Sequence, residues 1–417
     1  MSSDSDGTAR PSLLERGRRL LLRPTMAVAA GLAASGAAFA AGNLLLARIM
    51  QVDAFGRLAL AVALFHVFTA ITPLGIDQLV LRHRIRAGLR LLILLVAAGA
   101  AIASLVVWAA YDAGGLLASE AVPLAVAITF GGVALVVGGI LRSDERHAWA
   151  LAVSTGSSWM LLALGVVAIA LDITSPTTLL WLFAAANVVR AATGWLLPGR
   201  DLRLSKGARV RIHWPEAFSL LGIAAIGALM LQAERLIIPI VLDFRALAVF
   251  GVLASVAIFP FRLLAAAAGF VLTPQLRGAE TARQRWSLAR AELFSVAFMS
   301  VGATAVVVPI VPFLVPLVTG GRYELSFALV AAACLNGVAK VLHALTRAIV
   351  IGCGTTRQVA VLNGHNLLWL VCATLGAAVG GVFGLTGLLV GVSLGSLAAL
   401  VPSVRLAWKS LGRGAQP

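Results

Sequence analysis

A chain of 417 residues that is 60% hydrophobic and only 12% charged, with a mean hydropathy of +0.98, lacks the polar fraction that covers the surface of a soluble domain. Its formal charge of +16 would point to nucleic acid in a soluble protein. Here the cations sit mostly between apolar runs, where membrane topology accounts for them, so no nucleic-acid partner is expected. Cys334, Cys353 and Cys372 form no CxxC pair, which argues against a disulfide framework or a zinc site. No metal and no cofactor is expected.

Apolar runs of about 20 residues recur along the whole length, each long enough to cross a hydrocarbon core of about 30 Å. They are continuous and rich in Ala, Leu and Val, so helices rather than alternating barrel strands are expected. Twelve spans are predicted, at 26–47, 58–81, 89–110, 119–141, 148–171, 178–198, 217–242, 246–274, 291–319, 323–351, 358–379 and 384–408. Within the first, Ala38-Phe39-Ala40 resembles a cleavage site. The run is longer than a signal-peptide core and eleven spans follow, so it is read as a span.

Lys and Arg alternate between the two sides. With the N-terminus inside, the tail holds Arg10, Arg16, Arg18, Arg19 and Arg23, and each later inner loop is basic, notably Arg82 to Arg90, Arg200 to Arg211 and Arg277 to Arg290. Of 33 Lys and Arg, the outer loops hold only Arg48, Arg57, Arg245 and Arg322. Both ends are therefore expected on the cytoplasmic side. The longest polar connection lies midway and gives the expected organisation: a tail at 1–25, six spans in 26–198, a basic linker at 199–216, six spans in 217–408 and a tail at 409–417. Ala54-Phe55-Gly56-Arg57-Leu58-Ala59 at the start of the second span is echoed by Ala246-Leu247-Ala248-Val249-Phe250-Gly251 at the start of the eighth, which suggests two parallel repeats. The stretch 275–290 carries Leu276, Ala279, Trp286 and Ala289 near helical spacing, and is either a helix on the inner membrane surface or an ordinary basic loop.

Five cations fall inside spans: Arg190, Arg235, Arg262, Lys340 and Arg347. Among acids only Glu234 is as deep, while Asp77, Glu120 and Glu216 lie nearer span ends. Such a group costs roughly 2.5–3.5 kcal/mol at mid-bilayer on insertion scales. In the tenth span Asn336, Lys340, His343 and Arg347 are spaced 4, 3 and 4, which places them on one helix face. His66, Thr69, Pro73 and Asp77 repeat that pattern in the second. Asn187 shares a face with Arg190, and Gln232 with Arg235, whereas Glu234 and Arg235 point about 100° apart. Two readings stand: an interior cavity with surplus positive charge, suited to an anionic ligand, or cations that snorkel to an interface or pair structurally. Snorkelling suits Arg347 best, and hydrogen-bonded packing suits His66 and His343. Gly387, Gly391 and Gly395 form two overlapping GxxxG motifs that predict close helix packing. Pro260, Pro309, Pro312 and Pro316 predict bends.

Two stretches carry a resemblance. Asn43 to Arg82 includes Asp53-Ala54-Phe55-Gly56 and Leu74-Gly75-Ile76-Asp77, and Gln232 to Arg277 includes Glu234-Arg235 and Pro274. They resemble the polysaccharide-biosynthesis, Wzx-like flippases of the multidrug/oligosaccharidyl-lipid/polysaccharide exporter superfamily, although Glu234 stands where that family usually has Asp. The resemblance implies an all-α membrane protein of about 12 helices in two six-helix lobes around a central cavity. The implied activity is movement of undecaprenyl-pyrophosphate-linked oligosaccharide from the inner to the outer leaflet of a bacterial inner membrane, by alternating access, for O-antigen, capsule or exopolysaccharide synthesis. Its partners would be membrane lipids, the lipid-linked oligosaccharide, and the polymerase and chain-length proteins of such a pathway. On this reading Arg190, Arg235, Arg262, Lys340, Asn336, His343 and Arg347 are the candidate substrate-binding residues, and Asp77 and Glu234 the candidate ion-coupling residues. A cation-coupled multidrug exporter of the same superfamily would prefer a more acidic cavity. A glycan polymerase or ligase would need a sizeable outer loop with catalytic groups, whereas the outer loops here are short and hold few polar side chains, such as Tyr111, Asp112, Arg322 and Tyr323. No nucleophile–base pair or phosphate loop is present, so a transporter rather than an enzyme is expected.

Overall fold

The computed structural model describes residues 24–83, 88–196 and 212–412. The expected N-terminal tail, most of the 199–216 linker and the end of the C-terminal tail lie outside the described residues. Among the described residues there is no strand. Fourteen helices follow in order: α1 (Pro24–Ile49), α2 (Val52–Ile71), α3 (Ile76–His83), α4 (Leu89–Asp112), α5 (Ala118–Ser143), α6 (His147–Ala170), α7 (Pro176–Leu196), α8 (Trp214–Val241), α9 (Phe244–Leu253), α10 (Phe259–Gly278), α11 (Ala282–Thr319), α12 (Phe327–Cys353), α13 (Thr356–Gly381) and α14 (Gly384–Leu411). A π turn, Ala254–Ile258, joins α9 to α10. Counting Phe244–Gly278 as one, 12 helices among the described residues are long and apolar enough to span a bilayer, so the chain is a multi-pass membrane protein.

Side-chain caps start several helices where the first amides lack intrahelical partners. Asp243 Oδ1 accepts from the Ala246 amide at 2.6 Å, and Ser326 Oγ from Leu329 at 3.2 Å. Thr355 and Gln358 form a reciprocal box at the start of α13.

The second span departs from expectation. It ends at Ile71, and Asp77 lies on the separate α3. Pro73 removes an amide donor, and Leu74 and Gly75 take left-handed φ values of 54° and 76°, so the helix cannot run on to 81. The predicted stripe of His66, Thr69, Pro73 and Asp77 is broken at this turn. Nor is 275–290 a surface helix: it is the end of α10 and the start of α11, capped by Thr281. Trp286 there packs on Trp408 of α14, with ring centroids 6.3 Å apart. Pro309, Pro312 and Pro316 leave α11 a single 38-residue helix. At Pro260 the disturbance is taken up upstream: Pro would press on the carbonyl four residues back, and the wider π turn that contains Val256 relieves it.

Helices α1 to α7 pack mainly on one another, through α1 on α6, α4 and α7 on α5, and α2 on α5. Helices α8 to α14 do likewise, through α10 and α14 on α12 and α13 on α14. The two sets meet where α1, α2 and α3 face α8, α9 and α10. The α13–α14 pair is the tightest: a Cβ on Gly387, Gly391 or Gly395 would run into the carbonyl of Gly380, Gly376 or Cys372. The GxxxG expectation holds.

The meeting surface is sealed at one end. Arg322 Nη1 donates to the Met50 carbonyl at 2.7 Å, Phe55 meets Tyr323 edge-on at 6.4 Å, and Gly56 lies against the Phe244 carbonyl. The two echoing segments meet here too, with Phe55 and Ala59 against Gly251. Leu247, Ala248, Phe250 and Val252 are wholly buried. Towards the other end α8 is partly exposed from 219 to 231, and a Cβ on Gly222, Gly227 or Gly269 would meet nothing within 4 Å. The α3–α8 contact stays shut there. The Ala217 carbonyl abuts Gly75, and Glu216 holds Arg82 at 2.9 Å and His83 at 3.0 Å.

Gly391→Leu is expected to destabilise the protein by about 1–3 kcal/mol, the usual cost of overpacking. Thermal unfolding in detergent measures it, and an unchanged midpoint would contradict the contact.

Candidate cationic cleft

At the top of the open cleft, just below the seal, charged groups from both halves converge. Glu234 and Arg235 follow each other on α8, and both are buried, at 1% and 2% exposure. They diverge as the helix geometry requires. Glu234 Oε1 lies 2.6 Å from Lys340 Nζ and accepts from Asn336 Nδ2 at 3.2 Å, both on α12. Arg235 turns towards the first half, its guanidinium carbon 5.2 Å from the centre of the Phe39 ring of α1, a cation–π contact. His66 of α2 lies beyond, with centroids 5.5 Å from Phe39 and 5.2 Å from Phe65. The charges of Arg190, Arg235 and Arg262 all reach His66, and Arg262 on α10 is also within electrostatic reach of Glu234 and Lys340. Arg190 leans on Gly156 of α6, where a Cβ would lie 2.8 Å from its Cδ.

The cluster thus holds four cations and one acid, and that acid is engaged by Lys340. The Nε atoms of Arg190, Arg235 and Arg262 find no protein acceptor, and neither do the amide oxygens of Asn187, Gln232 and Asn336 find a donor. Buried polar atoms in such number are unusual unless a site uses them. Three forks with fixed N–H directions suit phosphate or carboxylate oxygens, and the amide oxygens suit hydroxyl donors. Among the described residues no three His, Cys, Asp or Glu side chains gather to hold a metal.

The sequence-selected residues divide. Arg235, Arg262, Lys340 and Asn336 gather around Glu234, and Arg190 joins them through its charge on His66. His343 and Arg347, on the same face of α12, look into the second half, where His343 Nε2 meets Asn366 Oδ1 at 3.1 Å. Asp77 lies elsewhere: its carboxylate takes a 2.7 Å bond from Gln78 and its backbone lies against Gly139 of α5. Glu234 is in the cluster but tied to Lys340, which already supplies the cation that a coupling ion would bring. Phe39 was not selected, because an aromatic in an apolar helix gives no signal of what lies above its ring. Trp369 gave no signal for the same reason, and Asn366 gave none of its partner because His343 lies on another helix, whereas Arg322 and Tyr323 stood out as polar groups in sparse loops.

No protein-family profile and no curated protein sequence matches the chain. Solved structures do. An inward-facing multidrug resistance MATE family transporter of the MOP superfamily matches with a TM-score of 0.74 at 14% identity, over 90% of this chain and 94% of that one. The lipid II flippase MurJ, in an inward closed conformation, matches at 0.67 and 13%, over 93% and 91%. This is the two-lobed, twelve-helix transporter fold. An outward-facing MATE transporter of the same superfamily scores 0.56 at 16% identity, over 95% and 98%. The matched proteins are transporters or a flippase, not enzymes.

Replacing Lys340 by Met strands a buried carboxylate, and the expected loss is about 3–5 kcal/mol of stability. Adding Glu234→Gln in the same chain is expected to restore most of it. Equal melting points for the single and double variants would refute the pairing.

Proposed function

We propose that the chain flips an undecaprenyl-pyrophosphate-linked oligosaccharide from the inner to the outer leaflet of a bacterial inner membrane, with both termini cytoplasmic, for assembly of a surface polysaccharide. The observation that carries this reading is that Arg235 and Arg262 of the second half and Arg190 of the first all act on His66, with Glu234, already engaged by Lys340, the one acid beside them among the described residues, at the head of a cleft open at one end. A pyrophosphate must shed water to cross the bilayer, and guanidinium forks replace that hydration with charge-assisted bonds. Neighbouring amide oxygens of Asn187, Asn336 and Gln232 are suited to sugar hydroxyls. The likeness to the lipid II flippase MurJ supports a lipid-linked cargo. Transport follows when the two halves rock, breaking the Arg322–Met50 seal and closing the Trp214 end. Polymerase and chain-length proteins would then act on the delivered glycan.

A second reading, a multidrug exporter, is favoured by the fold similarity to MATE transporters. The surplus positive charge would repel cationic compounds, so that reading is confined to neutral or anionic ones.

The test is lipid-linked glycan resolved by leaflet in a deletion strain. The wild-type gene is expected to release intermediates trapped on the cytoplasmic side. The Arg235→Ala/Arg262→Ala variant is expected to release them at least about tenfold more slowly, since each lost charge-assisted bond removes about 1.5–3 kcal/mol. Full transport by that variant would end the cationic-cleft assignment. Normal surface polysaccharide with no trapped lipid in the deletion strain would favour drug export.

A further inference from the structure

The second half of the chain contains a buried polar site that the cationic cleft does not use. His343 on α12 is 6% exposed, and across from it on α13 lie Asn366 at 5% and Trp369 at 1%. His343 Nε2 lies 3.1 Å from Asn366 Oδ1. A carbonyl oxygen only accepts, so Nε2 carries the hydrogen and Nδ1 keeps a bare lone pair. Among the described residues no group hydrogen-bonds Nδ1, and none accepts from Trp369 Nε1–H, whose ring centroid is 6.0 Å from the imidazole. An imidazole so placed has one open position, and the ligand that fits it is a proton.

Its setting gives that proton a consequence. On the same face of α12, Lys340 stands one turn away towards the cleft and Arg347 one turn away towards the open end. Arg347 and His365 of α13 are the charged or titratable groups that act on His343, and His365 Nδ1 is engaged with Ser403 of α14 at 3.3 Å. Among the described residues α10, α11 and α14 bring no titratable group to the ring. A charged His343 would complete a run of three cations at intervals of three and four residues, which destabilises a helix face. The nearby carboxylate, Glu234, is already held by Lys340. The arrangement described here therefore suits the neutral ring, and a proton would press α12 away from α13 and load the Lys340–Glu234 contact that ties α12 to α8.

We propose that His343 is the proton-binding residue whose charge state displaces α12 and so decides which end of the cleft is open. This rests on the alternating-access reading and not on the identity of the cargo.

The experiment needs no cargo. Spin labels at Gln51 and Glu324, both exposed on opposite sides of the sealed end, report its separation in a chain with Cys334, Cys353 and Cys372 replaced. Distances are measured by pulsed electron resonance in lipid nanodiscs from about pH 8 to about pH 5, the range in which imidazoles titrate. The wild-type pattern should gain a longer separation on acidification, following a single proton. His343→Gln should hold the short separation at every pH. Asn366→Asp, which places an anion against the ring, should raise the midpoint by about 1–3 pH units, a gain that a misfolded variant would not give. His365→Gln should keep the response. An acid response that survives in His343→Gln, an unmoved midpoint in Asn366→Asp, or no response in the wild type would each overturn the proposal. A response lost in His83→Gln instead would place the sensor at the Glu216 contact. None of these results bears on whether the cleft carries a lipid-linked glycan, which the leaflet measurement decides.

Discussion

The arrangement of this protein turns on the cost of keeping a guanidinium away from water. In a bilayer a cation must reach a headgroup, a counter-charge or a wet cavity. Here Arg190 and Arg235 are buried, Arg262 follows the π turn inside the Phe244–Gly278 span, and Glu234 is the one acid beside them among the described residues. The chain therefore cannot close into a solid bundle around them. The open side of α8 and the bare glycines Gly222, Gly227 and Gly269 are what that cost looks like in packing. Lys340 is the exception, because Glu234, itself held by Asn336, meets it directly.

Twelve helices, their order and the tight pairing through Gly387, Gly391 and Gly395 were legible in the sequence, because apolar length and small-residue spacing act locally. The loss of the second span at Ile71 was readable in principle from Pro73 and Gly75, yet hydropathy carries straight across them. The π turn at Ala254–Ile258 was not readable: one extra residue in a helical turn leaves no mark in an apolar run. In the cluster, depth was legible but direction was not. Lys340 and Arg347 share a face of α12, and only packing places one in the cleft and the other beside His343. The turn at Thr72 separated Asp77 from His66 in the same way, since a face argument fails where the helix stops.

The two ends of the cleft are unlike. At one end, contacts come from the connections themselves, through Arg322 to Met50 and Tyr323 to Phe55. At the other, α3 and α8 touch through Gly75 and Glu216 while their neighbours stand apart. The seam along α2, α3, α8 and α9 is thus continuous from end to end.

The π turn has a geometric consequence of its own. Each added residue turns an α-helix by about 100°, so the wider turn resets the angular phase between α9 and α10. The face of α9 that seals one end and the face of α10 that carries Arg262 are then oriented independently, although they belong to one continuous span. Were the same residues to run on as a regular helix without the wider turn, the Arg262 guanidinium would lie about a quarter turn around the axis from where it now stands.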